Sequence, residues 1–175
     1  ERDELLDRIE ELEERIRERQ KEIEGWADQD PGAARLMTIP GVGPLTSLYL
    51  VRTLGPVKRF ASMRQVVSYV GLDSVEHSSD NQNKRRRYGK ISKQGDRMLR
   101  WLLVQSAVAA TRRDERLKRF YRRLLLRKGI ALARVAAARK LLVWSWVLLR
   151  DEIDYPEFLR RASVRDLPAG FHGLS

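Results

Sequence analysis

Leu36-Met37-Thr38-Ile39-Pro40-Gly41-Val42-Gly43-Pro44, followed by Ser47, Leu50 and Leu54-Gly55, is the stretch on which the fold turns. An apolar residue, a valine between two glycines and an immediate proline predict two helices joined by a tight turn, a helix-hairpin-helix element. Gly41 and Gly43 can take backbone angles that other residues resist. Pro44 suits a first helical turn, where its missing N–H costs nothing. The second helix would then present unbonded N–H groups and the positive end of its dipole, a site that suits a phosphate without reading sequence. The same pattern serves equally well as a tight turn with no ligand, and the residues alone leave both readings open.

Working outward toward the C-terminus, a short helix is expected from Ser62 to Tyr69, ending at Gly71. About twenty residues of non-helical character follow, from Gly71 to Lys90. A loop of that length inside a compact domain is usually functional or disordered. Hydroxyls and amides come first, then a basic block. Lys84, Arg85, Arg86, Arg87, Lys90, Lys93, Arg97 and Arg100 are eight cations in seventeen residues, against one acid, Asp96. A solvated face or a localisation tract has the same composition, but the block lies beside the candidate phosphate turn, which favours contact with a nucleic-acid backbone. Three helices then close the body: about Lys93 to Arg113, with Met98, Leu99, Leu102, Leu103, Ser106, Ala107 and Ala110 on one face; about Asp114 to Gly129; and about Ile130 to Glu152. Their Met and aromatic residues read as core. The tail after Asp154 is expected to be irregular, clipped back by Phe158 and Leu159.

Toward the N-terminus, Leu5, Ile9, Leu12, Ile16, Ile23 and Trp26 follow alternating 4-3 spacing, with Arg19 in one apolar slot. So narrow a stripe is an a/d seam that buries itself against one other helix. It predicts a coiled-coil arm, with Arg19 paired to an acid across the seam; a helix folded back on its own domain is the alternative. Gly25 and Asp28-Gln29-Asp30-Pro31-Gly32 would stop it. The organisation read from the sequence is therefore an arm over 1–30, an all-α domain over 31–154 and a tail over 155–175.

Composition bounds the function. The 175 residues hold 35 Lys and Arg, 24 Asp and Glu, two His and no Cys. Disulfides and thiolate metal sites are excluded. The longest apolar run, Leu141 to Leu149, is far short of the ~20 residues of a membrane span. No secretory-signal pattern opens the sequence, and its start at Glu1 rather than Met leads to the expectation of a fragment or a processed chain. Residues 1–30 carry six basic and thirteen acidic side chains, whereas 31–175 carry 29 basic and eleven acidic. An acidic arm thus precedes a strongly basic body, whose natural partner is a polyanion.

Candidate chemistry is sparse. His77 and His172 are the only histidines, and Asp151, Glu152 and Asp154 form the only acidic knot of the body, better suited to a helix end than to a cation. No Ser-His-Asp constellation can be placed. What remains is a hydroxyl on a loop beside guanidinium groups: Ser78 or Ser79, with Tyr88 as a second nucleophile, and Arg85 to Arg87 and Lys90 to surround phosphoryl oxygens.

Several motifs in order carry a resemblance: Leu36-x2-Ile39-Pro40-Gly41-Val42-Gly43, Arg59-Phe60, Tyr69-x-Gly71-Leu72, Glu76-His77-Ser78-Ser79, and Gly89-x-Ile91-Ser92-Lys93-x-Gly95-Asp96-x3-Arg100. Over residues 33 to 150 the chain resembles the C-terminal serine domain of DEDD-type insertion-sequence transposases, the bridge-RNA-guided recombinases. The resemblance implies a serine-dependent DNA recombinase of the bacterial or archaeal cytoplasm. It implies a RuvC-like partner domain, absent from this chain, whose four carboxylates hold divalent metal. It implies Ser79 as the nucleophile, phosphate-facing roles for Lys93 and Arg100, DNA and a guide RNA as partners, and a homo-oligomer formed through residues 1–26. Asp80 stands where the family has glycine, and Asp73-Ser74 replaces its usual proline. On this reading the chain alone binds nucleic acid without cutting it. The competing readings are a non-catalytic helix-hairpin-helix adaptor of the repair type and a plain dimerisation module.

Overall fold

The computed structural model describes residues 1–76, 88–92 and 94–164. As expected, the architecture is helical: a long N-terminal helix leads into a compact helical domain. The one departure is a two-stranded ribbon. Helix α1 covers Arg2–Gln29 and α2 Pro31–Met37. The first correction falls here, because α1 runs straight through Gly25. A mid-helix glycine costs only about 1 kcal/mol, whereas the real stop is built from Asp30 and Pro31. The Asp30 carboxylate accepts from the N–H groups of Gly32 and Ala33 at 2.9 and 3.0 Å, and so starts α2 instead of continuing α1.

Every residue from 1 to 22 is exposed, and only Ala27 of α1 is buried, where the end of the helix meets α2 and α3 (Pro44–Leu54). Leu5, Ile9, Leu12 and Ile16 are 42–62% exposed, so the apolar stripe is not folded back on the described body. Within its own helix Arg19 is held by Glu22 at 2.8 Å.

Between α2 and α3 lies the glycine-valine-glycine turn. Gly41 has φ +88°, and a Cβ there would lie 2.8 Å from Ala110 Cα and 2.9 Å from the Ser106 carbonyl oxygen. The turn therefore packs backbone to backbone on α5 (Arg97–Arg113), and no side chain larger than hydrogen fits. Gly43 faces open space, and no side chain caps the start of α3. A buried Thr46–Ser106 hydroxyl pair (3.0 Å) fastens α3 to α5.

Helix α4 (Met63–Val70) is capped by Ser62 and ends at Gly71 in the left-handed conformation. Strands β1 (Ser74–Glu76) and β2 (Tyr88–Ile91) then pair antiparallel, Ser74 opposite Ile91 and Glu76 opposite Tyr88, with a bulge between. Helix α5 begins at Arg97 and not at Lys93, because Asp96 is its N-cap. Met98, expected on the buried face, is 42% exposed. Helix α6 is Glu115–Lys128, and α7 is Ile130–Asp151, which follows Gly129.

Helix α7 is the axis of the domain, packed against α2, α4, α5 and α6. Ala133, Ala137 and Ala138 allow close crossings in its first half, and Leu141, Leu142, Trp144, Trp146 and Leu148 fill the core in its second. The tail is a second correction: Tyr155–Val164 forms α8. Asp154 accepts from Glu157 N–H at 2.8 Å, and Pro156 sits in the first turn, where it suits a helix. Phe158 is buried as expected and Leu159 packs on the core. Tyr155 is buried too, its ring tilted against Trp144 and stacked on Phe158, its hydroxyl donating to Asp114 at 2.7 Å. Burial and that carboxylate push the Tyr155 hydroxyl pKa far up. No helix among the described residues is long and apolar enough to cross a membrane.

Candidate nucleic-acid interface

Of the residues singled out by the sequence, Gly71, Ser92, Gly95, Asp96, Arg97 and Arg100 lie where α4 ends and α5 begins, around the base of the β1–β2 ribbon. Two glycines set the approach. Gly71 (φ +74°) is so close to the returning chain that a Cβ would meet the Gln94 backbone, 2.7 Å from its carbonyl carbon and 2.8 Å from its nitrogen. Gly95 (φ +100°) faces the Tyr69 carbonyl oxygen just as tightly. Only glycine permits both the positive φ and the contact, so the outgoing and returning segments touch main chain to main chain.

Polar groups then lock the base. Ser92 N–H donates to the Asp73 carbonyl at 2.9 Å, the Ser92 hydroxyl donates to the Asp73 carboxylate, and Ser68 donates to the same carboxylate at 3.3 Å. Two arginines reach in from the helices behind. Arg100 of α5 donates through Nη1 to the carbonyls of Val70 (3.1 Å), Gly95 (2.9 Å) and Gln94 (3.4 Å). Arg139 of α7 donates through Nε and Nη2 to the carbonyl of fully buried Leu72, at 3.0 and 2.6 Å. These carbonyls cannot be satisfied by a further helical turn, and charged donors satisfy them most strongly. Burial lowers the Arg139 pKa, and the nearby Asp73 carboxylate opposes that shift.

Asp96 joins the locked base to α5. Its carboxylate accepts from Leu99 N–H at 2.8 Å and from the Tyr49 hydroxyl at 2.9 Å. The Leu99 amide, then Tyr49 and the Arg100 charge, hold the Asp96 pKa below the usual carboxylate range against the effect of burial, and the same contact raises that of Tyr49. Arg59 lies 4.6 Å from the ring centroids of both Phe60 and Tyr69, which explains the Arg59-Phe60 and Tyr69 motif positions as packing of α4 on the turn before it.

The expected site residues divide accordingly. Ser79, Ser78, His77, Lys84, Arg85, Arg86, Arg87 and Lys93 lie outside the described residues, as does His172. Glu76 and Tyr88, the described residues on either side of 77–87, pair across the ribbon. Lys90 lies on β2, and Arg97 is exposed in the first turn of α5. Arg100 is bound to three carbonyls; Gly41 is bound into the fold, while Gly43 faces outward. The acidic knot serves helix ends, with Asp151 paired to Arg150 and Asp154 capping α8. Among the described residues no group of three His, Asp or Glu could hold a metal ion.

Sequence reading missed Arg139. Its one signal was an Arg139-Lys140 pair interrupting the most apolar helix of the chain. Asp73, a departure from the family motif in the sequence, holds both Ser68 and Ser92 in the structure.

Comparison with known proteins matches residues 33–122, the span from α2 through the ribbon into α6, to the model of the transposase IS116/IS110/IS902 family. Among relatives, a probable family 20 transposase of Pseudomonas aeruginosa is 32% identical over 156 residues, 87% of this chain and 45% of its own. The transposase for insertion sequence element IS1111A of Coxiella burnetii is 34% identical, covering 87% and 41% respectively. The transposase for insertion sequence element IS1328 of Yersinia enterocolitica is 34% identical over 139 residues, 77% of this chain and 41% of its own. The chain thus spans less than half the length of these relatives.

Proposed function

Because this chain belongs to the IS116/IS110/IS902 transposase family, we propose that it is the DNA-binding, serine-nucleophile domain of an insertion-sequence recombinase. The observation that carries the proposal is the ribbon base. The segment bearing Ser79 and the Lys84–Arg87 block leaves and returns at paired strands whose root is fastened by Arg100, Arg139, Asp73 and Ser92. A catalytic hydroxyl needs rigid support of this kind behind it. In the proposed step the Ser79 oxygen attacks a DNA phosphorus. A serine–phosphate ester forms as one deoxyribose–phosphate ester breaks, and the departing deoxyribose oxygen takes up the proton. Attack by an incoming deoxyribose hydroxyl reverses the exchange and frees the serine. Arg85 to Arg87, Lys90, Lys93 and Arg97 would neutralise the phosphoryl oxygens. Arg100, bound to carbonyls, would position the segment.

Duplex backbone would also meet the uncapped start of α3 at Gly43, in the manner of a helix-hairpin-helix element. A RuvC-like domain carrying divalent metal would lie in the longer protein, where a guide RNA would select the sites. The uncovered stripe of α1 supports pairing of two copies through residues 1–26. In the longer protein, Ser79→Ala is expected to abolish strand exchange while leaving DNA affinity intact. Unchanged exchange would leave only the non-catalytic adaptor. Divalent-ion-dependent cleavage by residues 1–175 alone would contradict the division of labour.

A further inference from the structure

A second basic surface lies outside the ribbon. Helix α6 and the residues entering it carry Arg112, Arg113, Arg116, Lys118, Arg119, Arg122, Arg123, Arg127 and Lys128, against two acids. The two acids offset only part of this charge, Glu115 interacting with Arg119 and Arg122 as well as Lys118. Asp114 is buried, accepting from Leu117 N–H and Tyr155, and Glu115 is engaged with Lys118 at 2.6 Å. Arg116, Arg119, Arg123 and Arg127 are exposed, and their spacings of 3 and 4 place them on one side of the helix, over about 16 Å. Among the described residues none of the four has a carboxylate within ion-pair distance. The arm shows the alternative arrangement, with Arg8, Arg17 and Arg19 each paired to a glutamate one turn away.

Like charges at these spacings repel and destabilise an isolated helix, so the stripe is kept against its own electrostatics. The field is felt inside the domain as well. Burial lowers the Lys140 pKa, Asp114 resists, and Arg123 and Arg116 depress it further.

We propose that the Arg116–Arg119–Arg123–Arg127 face of α6 is a second contact for duplex DNA, gripping phosphates without reading bases. The inference rests on the DNA-binding reading above and adds a site to it. Arg97, near the ribbon, and Arg113, at the entry to α6, stand at the two ends of α5, about 24 Å apart along its axis. A duplex held by the ribbon segment therefore has to extend to reach the α6 stripe. An anionic membrane is the weaker fit, because Leu117 and Leu124 of α6 are buried in the domain and leave Leu126 as its one largely exposed large apolar side chain, too little to insert.

The test measures affinity of the 175-residue chain for a random 30-base-pair duplex from about 50 to 300 mM salt. The quadruple variant Arg116→Gln, Arg119→Gln, Arg123→Gln, Arg127→Gln is expected to lower the slope of log K against log salt by about 3 to 4, near 0.9 for each phosphate left without its arginine. Affinity at about 150 mM salt should fall at least tenfold, equally for all sequences. The four Arg→Lys replacements should keep the slope, which separates charge from folding. An unchanged slope overturns the inference, as does a loss confined to anionic vesicles or to RNA. Arg85→Gln, Arg86→Gln, Arg87→Gln serves as the control. If that variant weakens binding and the α6 variant does not, only the α6 contact fails; if the unaltered chain binds no duplex, the DNA-binding reading fails first.

Discussion

Replacing Gly71 with alanine should be among the most damaging single-methyl additions to this chain. At φ +74° an L side chain costs roughly 1 kcal/mol or more in backbone strain. The methyl would also lie within 3 Å of Gln94 main-chain atoms, which cannot rotate aside. Relief requires the returning segment to move away from α4. That breaks the Arg100 contacts with Gln94 and Gly95 and strains the Ser92–Asp73 bond. Hydrogen bonds from charged donors contribute about 1.5–3 kcal/mol and neutral ones about 1. The total comes to about 4 kcal/mol, or roughly 10 °C in midpoint for a domain of this size. Gly25→Ala is the matched comparison. Nothing lies within 4 Å of a Cβ there, and the helical φ is ordinary, so the variant should gain up to about 1 kcal/mol. Urea titrations of both variants with unchanged m-values provide the measurement. Gly71→Ala costing under about 1 kcal/mol would refute the main-chain contact on which the ribbon base depends.

Further outcomes follow from the same geometry. Arg139→Met leaves the buried Leu72 carbonyl without its two donors and should cost about 1–3 kcal/mol, read by thermal unfolding; amide exchange should rise first near Leu72. Asp96, with its pKa held below the unfolded value, stabilises above the ordinary carboxylate pKa of about 4 and loses that contribution as pH falls through its folded value. Asp96→Asn should accordingly flatten the stability profile in acid, and an unaltered profile would remove Asp96 as the cap of α5. Ile9→Glu with Ile16→Glu should convert a dimer to a 20.4 kDa monomer in sedimentation equilibrium. An unaltered chain that is already monomeric at high concentration would refute pairing through the arm.

Local chemistry in the sequence foretold local structure. Ser62 and Gly71 bound α4, Gly129 separates α6 from α7, and the glycine-valine-glycine turn joins α2 to α3. Errors arose where a neighbouring signal outweighs the one read, or where the deciding partner is distant. Pro156 reads as a break until Asp154 is seen to cap α8 and Tyr155 to reach Asp114, 41 residues away. Gly25 reads as a stop, but a stronger one follows at Asp30–Pro31. The Arg139 partner is 67 residues distant, so no periodicity could reveal it. The motifs mark the segment between α4 and α5 without foretelling that its ends pair as a ribbon, and nothing in them signals the three carbonyls that Arg100 holds. They also could not distinguish Gly41, pressed on α5, from Gly43, which faces outward.

The proposal that Ser79 becomes joined to DNA is tested most directly by trapping the adduct. The longer protein would be incubated with a labelled donor duplex, denatured, digested and sequenced by mass spectrometry. A deoxynucleotide phosphate on Ser79, absent from Ser79→Ala, is the predicted result; the same adduct on Tyr88, or strand exchange that proceeds with no protein–DNA ester, would contradict the account.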